Sequence, residues 1–313
     1  MSAPVLAPPP PRRFDVLGVG ECSLDTWLWL DALPAPGGKA VVDEWRERPG
    51  GQVATAALAA ARLGLRVEYA GVVGDDAAAA QVLAPLRAGG VEVSRVHVVP
   101  GARTRAAVIA VERESGERAV LGHRDPKLAE GRRALAALSL DEARLLLLDG
   151  SDFAVALPLA RRARERGLPV VLDLDAAAPE AEELLAYVDF PVVSQGFAER
   201  VYGSAEAALD RFAALGARLP VVTLGATGAV ARWQGRRLAS PGFPVKVVDT
   251  TGAGDVFHGA FAWGLLTGLG AEALLRVANG AAACACTGLG AQGALPEAAE
   301  LRAFLAERGY SSS

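Results

Sequence analysis

A chain of 313 residues has room for one large or two modest domains, and with 51% hydrophobic and 22% charged residues it can bury a large core. A formal net charge of -4 leaves no basic footprint and argues against a nucleic-acid partner. Three cysteines are too few for a disulfide framework and suit a reducing cytoplasm, while no apolar run is long and charge-free enough to span a membrane.

The first thirteen residues, MSAPVLAPPPPRR, are proline-rich and lack the apolar core and cleavage site of a secretory signal, so residues 1–13 are expected to form a disordered tail. Residues 14–20 (FDVLGVG) then read as the first strand of a buried sheet. Glu21 to Asp25 follow at its carboxyl end, where open α/β sheets bind ligands. Asp25 is read there as an acceptor for a substrate hydroxyl rather than a solvated turn acid. Two short segments, 26–30 and 39–46, carry Trp27, Trp29 and Trp45 among polar residues. They fall between the first strand and the first long helix, and large aromatic side chains need cover, so they predict a small β-lid.

Pro49-Gly50-Gly51-Gln52 opens a helical Ala/Leu run that stops at Arg62-Leu63-Gly64, with Gly64 as a C-cap. Residues 67–73 read as a strand, followed by Gly74-Asp75-Asp76 and a helix to Arg87. Segments 93–99, 106–111 and 118–121 alternate in polarity around a Ser115-Gly116-Glu117 turn. They are assigned to edge or lid strands, which puts the lid in about 25–48 and 93–122. Arg105, His123 and Arg124 suit either a basic clamp for an acidic substrate or a solvated loop. His123-Arg124-Asp125 lacks the context of a protein-kinase catalytic loop.

From Asp141 the pattern becomes strand, helix, strand, helix, with strands at 143–148, 169–172 and 190–194 and helices at 154–166 and 180–187. That rhythm predicts a parallel, doubly wound sheet with helices on both faces. Residues 220–229 (PVVTLGATGA) read as a strand, a glycine-bounded turn and a second strand, the pattern of a phosphate-holding turn and equally of a plain hairpin.

The most informative stretch is 247–260, VVDTTGAGDVFHGA, a strand end that breaks at a small-residue turn and runs into an apolar helix. The amides of such a turn and of the first helical turn lack intrahelical partners, and the helix dipole adds positive charge, which makes an anion hole. Asp255 places a carboxylate at its rim. A base beside an oxyanion cradle suits phosphoryl transfer to a hydroxyl. A second helix spans about 271–287, with Cys284 and Cys286 read as packing rather than zinc ligands. His258 is read as structural.

GGQVATAALAAARLG at 50–64 and DTTGAGDVFHGA at 249–260 closely resemble, in order, the two signatures of the PfkB (ribokinase-like) sugar and nucleoside kinases. The resemblance runs from Phe14 to about Leu305. It implies an α/β, ribokinase-like doubly wound, mostly parallel sheet flanked by helices, with a small β-lid, in one domain over 14–308 and a frayed end at 309–313. It further implies an ATP-dependent carbohydrate kinase with Asp255 as base and Gly252, Ala253 and Gly254 in the anion hole. Asp25, Gly50, Gly51, Gln52, Thr55, Arg105 and Arg124 would face the substrate. Thr223, Gly225, Gly228, Asn279 and Ser194 would face the nucleotide. Asp249 and Thr251 match positions that hold a monovalent cation in potassium-activated relatives, so the implied cofactors are ATP, Mg2+ and K+. A lid of this kind often clasps a homodimer.

Three departures narrow the comparison. Thr55 stands where ribokinases carry Asn, and Ser194 and Phe197 replace an Asn-x-x-Glu motif that orders magnesium. Both signatures resemble the ketohexokinase and sulfofructose kinase branch most. Gly122 and Ser151, however, stand near where sulfofructose kinases place the Asn and Arg that hold the sulfonate. The expected substrate is therefore a ketose or a sugar acid, with a nucleoside as alternative and a non-catalytic sugar-binding regulator as the alternative of another class.

Overall fold

The computed structural model of the protein describes residues 4–7, 9–35, 37–114 and 118–310. The chain opens with β1 (Phe14–Val19), β2 (Ser23–Leu30) and β3 (Glu44–Gly50), then enters α1 (Gln52–Arg62). β4 (Val67–Ala70), β5 (Val72–Gly74), α2 (Ala77–Ala88), β6 (His97–Val99), β7 (Ala106–Glu112) and β8 (Arg118–His123) follow. The middle of the chain alternates through α3 (Arg132–Ala136), β9 (Ala143–Asp149), α4 (Phe153–Glu165), β10 (Val170–Asp173), α5 (Pro179–Leu185), β11 (Phe190–Ser194), α6 (Gln195–Tyr202) and α7 (Ala205–Ala214). It closes with β12 (Val221–Thr223), β13 (Ala229–Trp233), β14 (Arg236–Ser240), α8 (Ala253–Leu266), α9 (Ala271–Ala285) and α10 (Ala298–Ala306).

Eight strands form the main sheet in the order β14-β13-β12-β11-β10-β9-β1-β4. Pairing is parallel from β4 to β12 and antiparallel through β13 and β14. β9 shows why it takes this form. Leu145, Leu146, Leu147 and Leu148 are all fully buried, as a strand covered on both faces requires. Leu145 and Leu147 join the core built with α1, α8 and α9, whereas Leu146 and Leu148 join the core built with α4 to α7. Alternation along a single strand thus assigns helices to both sides of the sheet.

The lid is a second sheet in the order β3-β2-β7-β8, antiparallel except for the parallel β2–β7 pair. The expected lid strand at 93–99 is corrected here: His97–Val99 pairs with β5 in a separate two-stranded sheet, because Val72 to Gly74 run alongside it. The expected Ser115-Gly116-Glu117 turn lies outside the described residues.

Two other expectations also change. The proline-rich start, expected to be disordered, packs its apolar pair into the core, with Val5 at 2% and Leu6 at 5% exposure. The Val5 amide donates to the Leu269 carbonyl at 3.1 Å, Pro4 bridges Gly270, and Arg218 and Arg144 donate to the carbonyls of Val5 and Pro9. Two apolar side chains are enough to dock an otherwise polar arm. At the other end, Tyr310 is held rather than frayed, edge-on to Phe243 at 5.8 Å with Arg276 over its ring; residues 311–313 lie outside the described residues. Among the described residues no helix is long and apolar enough to cross a membrane.

Candidate active site

Asp255 lies in the first turn of α8, three residues after Gly252. Gly252 is the N-cap, with φ 76 and ψ -3, and a Cβ there would stand 2.6 Å from Ala291 Cα. Only glycine meets both conditions. Helix geometry leaves the first-turn amides without i−4 acceptors, which suits Gly254 and Asp255 to an incoming anion. Gly254 is exposed. The Ala253 amide, also expected in the hole, donates to the Thr250 carbonyl at 3.3 Å and is partly spent on the turn itself.

The loop in front of α8 is laced from both sides. Asp249 accepts from the Thr251 amide at 2.9 Å on one carboxylate oxygen and from the Gly290 amide at 2.8 Å on the other. Thr251 Oγ1 is buried with no hydrogen-bond partner among the described residues. An orphaned hydroxyl oxygen beside a carboxylate suits the expected cation site.

On the substrate side, β2 and β3 pair so that Ser23 lies opposite Gly50. Asp25 is buried, accepts from Ser23 Oγ at 2.8 Å, and presses on Gly50, where a Cβ would stand 2.2 Å from its carboxylate. Burial raises the Asp25 carboxyl above its ordinary value, against the lowering effect of the Ser23 bond. Gln52, the first residue of α1, lies near enough to Asp173 to lower its carboxyl in part. Thr55 is fully buried, and its hydroxyl accepts from Gln292 at 3.4 Å, so it supports the helix from inside.

The lid side adds charge. Arg105, Arg124, His123, Glu21, Gln52, Ser151 and Asp175 line a cavity of about 330 Å³. Arg105 pairs with Glu21, and burial followed by repulsion from Arg124 pushes its guanidinium below the ordinary value. Arg124 donates to the Ser151 carbonyl at 2.8 Å and reaches Asp152 at 3.5 Å, tying the end of β8 to the start of α4. Both arginines therefore face one cavity, each already oriented by an acidic or carbonyl oxygen.

Two of the nucleotide-side candidates, Gly228 and Asn279, meet at residues 240–242. Gly225–Thr227 is a single exposed turn between β12 and β13, and a Cβ on Gly228 would stand 2.1 Å from the Ser240 carbonyl. Asn279 donates to the Ser240 and Pro241 carbonyls at 3.0 and 3.3 Å, so its amide nitrogen is spent on holding that wall. Thr223 Oγ1 donates weakly to Val193 at 3.4 Å. Ser194 caps α6, accepting from the Phe197 amide at 3.2 Å, and Phe197 is buried edge-on to Tyr202. The substitution of the Asn-x-x-Glu motif has thus become a helix cap and a core aromatic.

Three acids not singled out from the sequence complete the cleft. Asp149 ends β9, Asp173 ends β10, and Asp175 follows it. Asp149 accepts from the Glu21 amide at 2.7 Å and from the Ser151 hydroxyl. Burial raises Asp149 to about 6, opposed by the Ser151 bonds, and raises Asp173 to about 6, opposed by His258. Asp255 rises well above the ordinary carboxylate range, first through burial and then through the charges of Asp173, Asp149, Asp175 and Asp25. The available signal was an aspartate at the carboxyl end of two neighbouring parallel strands, β9 and β10.

The pfkB family carbohydrate kinase profile matches residues 14–298. The chain is 31% identical to the ATP-dependent ribose-1-phosphate kinase of Halopiger xanaduensis, over 94% of this chain and 98% of that one. It is 28% identical to the ribokinase of Bacillus subtilis, over 92% and 98% of the two chains. The structure of Arabidopsis thaliana ribokinase complexed with ribose and ATP superposes with a TM-score of 0.82 at 24% identity, covering 95% of this chain and 99% of that one, a likeness of fold.

The raised carboxyl has a consequence for stability. Because the folded value of Asp255 exceeds the unfolded one, the unfolded chain releases this proton first, and stability is lost as pH rises from about 4 through the folded value. Asp255→Asn removes that penalty. The variant should melt with the wild type at pH 4 and about 2–4 °C above it at pH 8, read by thermal denaturation across pH. Parallel melting curves at every pH would contradict the assigned environment.

Proposed function

The chain belongs to the pfkB family of carbohydrate kinases, and from that premise we propose that it moves the γ-phosphate of ATP to a hydroxyl of a small sugar, with Asp255 as the base. The observation that carries this reading is the raised carboxyl of Asp255 in the first turn of a glycine-capped helix, within range of Asp25. The substrate hydroxyl would lie between Asp25, Gly50, Gly51 and Asp255. As its oxygen bonds to the γ-phosphorus and the bond to the β-phosphate oxygen breaks, Asp255 takes the hydroxyl proton and ADP leaves. Positioned bases contribute about 10²–10⁴ in rate. The first-turn amides and the helix dipole would hold the charge spread over the transferred oxygens.

A ketose or sugar acid is the substrate class we favour. Support comes from Arg105, Arg124 and His123 on the lid side of the cavity, which suit a carboxylate or a dense set of hydroxyls. Among the described residues no three His, Cys, Asp or Glu side chains converge to hold a metal ion. That donor set suits a Mg2+ that enters on the nucleotide phosphates with its own water. Asp249 and Thr251 would hold K+, drawing negative charge away from the anion hole. The free thiols Cys22, Cys284 and Cys286 suit a reducing cytoplasm.

We also propose a homodimer clasped through the lid. Val41, Trp45, Val120 and Leu121 are exposed there, Trp45 at 64% and Leu121 at 68%, and an apolar patch of this kind needs a partner.

Three experiments test these readings. ATP consumption against neutral sugars, sugar acids and nucleosides should identify one preferred class, with Asp255→Asn at least about 10²-fold slower on it. Nucleosides belong in the panel because Trp27 and Trp29 stack at 5.9 Å on the Asp25 face of β2. Ligand-raised melting temperatures without turnover on any compound would instead make the protein a sugar-binding regulator. Replacing K+ by tetramethylammonium should lower the rate, and an unchanged rate removes the cation site. Trp45→Glu should turn a dimer into a monomer by light scattering, whereas a monomeric wild type would dismiss the clasp.

A further inference from the structure

His258 is 4% exposed in the second turn of α8, and its two ring nitrogens both face oxygen. Nδ1 lies 2.7 Å from the Gly254 carbonyl oxygen and 3.6 Å from Asp173 Oδ2. Nε2 lies 3.2 Å from the carbonyl oxygen of Val192 in β11. A carbonyl oxygen only accepts, and a neutral imidazole carries one N–H and one lone pair. In either neutral tautomer a lone pair would therefore face a carbonyl lone pair in a site closed to water. The ring that satisfies both contacts carries a proton on each nitrogen.

The surroundings support that charge. β10 brings Asp173, with Asp175 just beyond it, and β9 brings Asp149. The helix itself brings Asp255, whose neighbours also include Asp25. β11, of sequence FPVVS, supplies no titratable group, and α1 carries only Arg62 in its last turn. On α9, Glu272, Arg276 and Cys284 are not buried.

We propose that His258 is a positioning residue, held as a buried imidazolium, that sets a positive charge beside Asp173 and behind Asp255 and clamps the first turn of α8 to β11. This inference rests on the reading of Asp255 as the base. A positive charge on the inner side of a carboxylate cluster favours the ionised forms, so Asp255 can be free to take the substrate proton near neutral pH. The same ring bonds the carbonyl of Gly254, so it also fixes the residue whose amide borders the anion hole.

The test has two arms. The protein has three histidines, His97, His123 and His258, so side-chain nitrogen spectra of 15N-labelled wild type can be assigned with His97→Gln and His123→Gln. At pH 7.5 free histidine is about nine-tenths neutral. The His258 ring should show both nitrogens protonated there, and a neutral-tautomer pattern would overturn the proposal. This arm needs no substrate, so it stands or falls apart from the kinase reading. In the second arm, His258→Asn should move the acidic limb of the kcat profile up by about one pH unit, with KM for ATP within about twofold. An unmoved limb in a folded variant would reject the positioning role. If His258→Asn does not fold, His258→Gln serves in its place, and the wild-type spectrum decides the charge regardless.

Discussion

Like charges gathered at the ends of neighbouring parallel strands set the terms for this molecule. Asp149 and Asp173 close adjacent central strands, Asp175 follows, and Asp25 and Asp255 complete the group across the cleft. Asp25 and Asp149 are buried and Asp173 and Asp255 half-buried, and the fold bears their repulsion because what surrounds the group is rigid. Two cores, one on each face of the sheet, fix the strand ends. The His258 ring and a set of backbone amides face part of the charge. The result is a cleft whose carboxyls hold their protons to higher pH than free carboxyls do.

The same construction explains why the lid carries arginine. Arg105 and Arg124 come from β-lid segments, not from the sheet, and reach down to Glu21, Ser151 and Asp152. They bring positive charge to an acidic floor from outside the main sheet. Their pairing also ties the lid to the sheet, so that an incoming anion would meet guanidiniums already oriented by acidic neighbours.

Much of this was legible in the residues. The four-leucine run of β9 and the alternation after Asp141 specify a doubly wound sheet, because burial on both faces leaves no other pattern. The Gly252-to-Asp255 turn was legible because its chemistry is local. The strand-end acids were not, since an aspartate after an apolar run is an ordinary turn residue until the strands are set side by side. Asn279 and Ser194 illustrate the converse. Both look like ligand residues in isolation, yet each spends a hydrogen bond on the backbone of its own wall. The N-terminal arm was misread because composition averages over it: two apolar residues among prolines are invisible in a mean but sufficient for a docking site.

That arm ties the beginning of the chain to its last third. Pro4 and Val5 find their partners at Gly270 and Leu269, so this arm cannot settle until α8 has emerged and α9 has begun. β1 likewise sits between β4 and β9, one near and one distant in the chain. Vectorial synthesis therefore leaves the Val5 and Leu6 pair without its site until the last third of the chain is made.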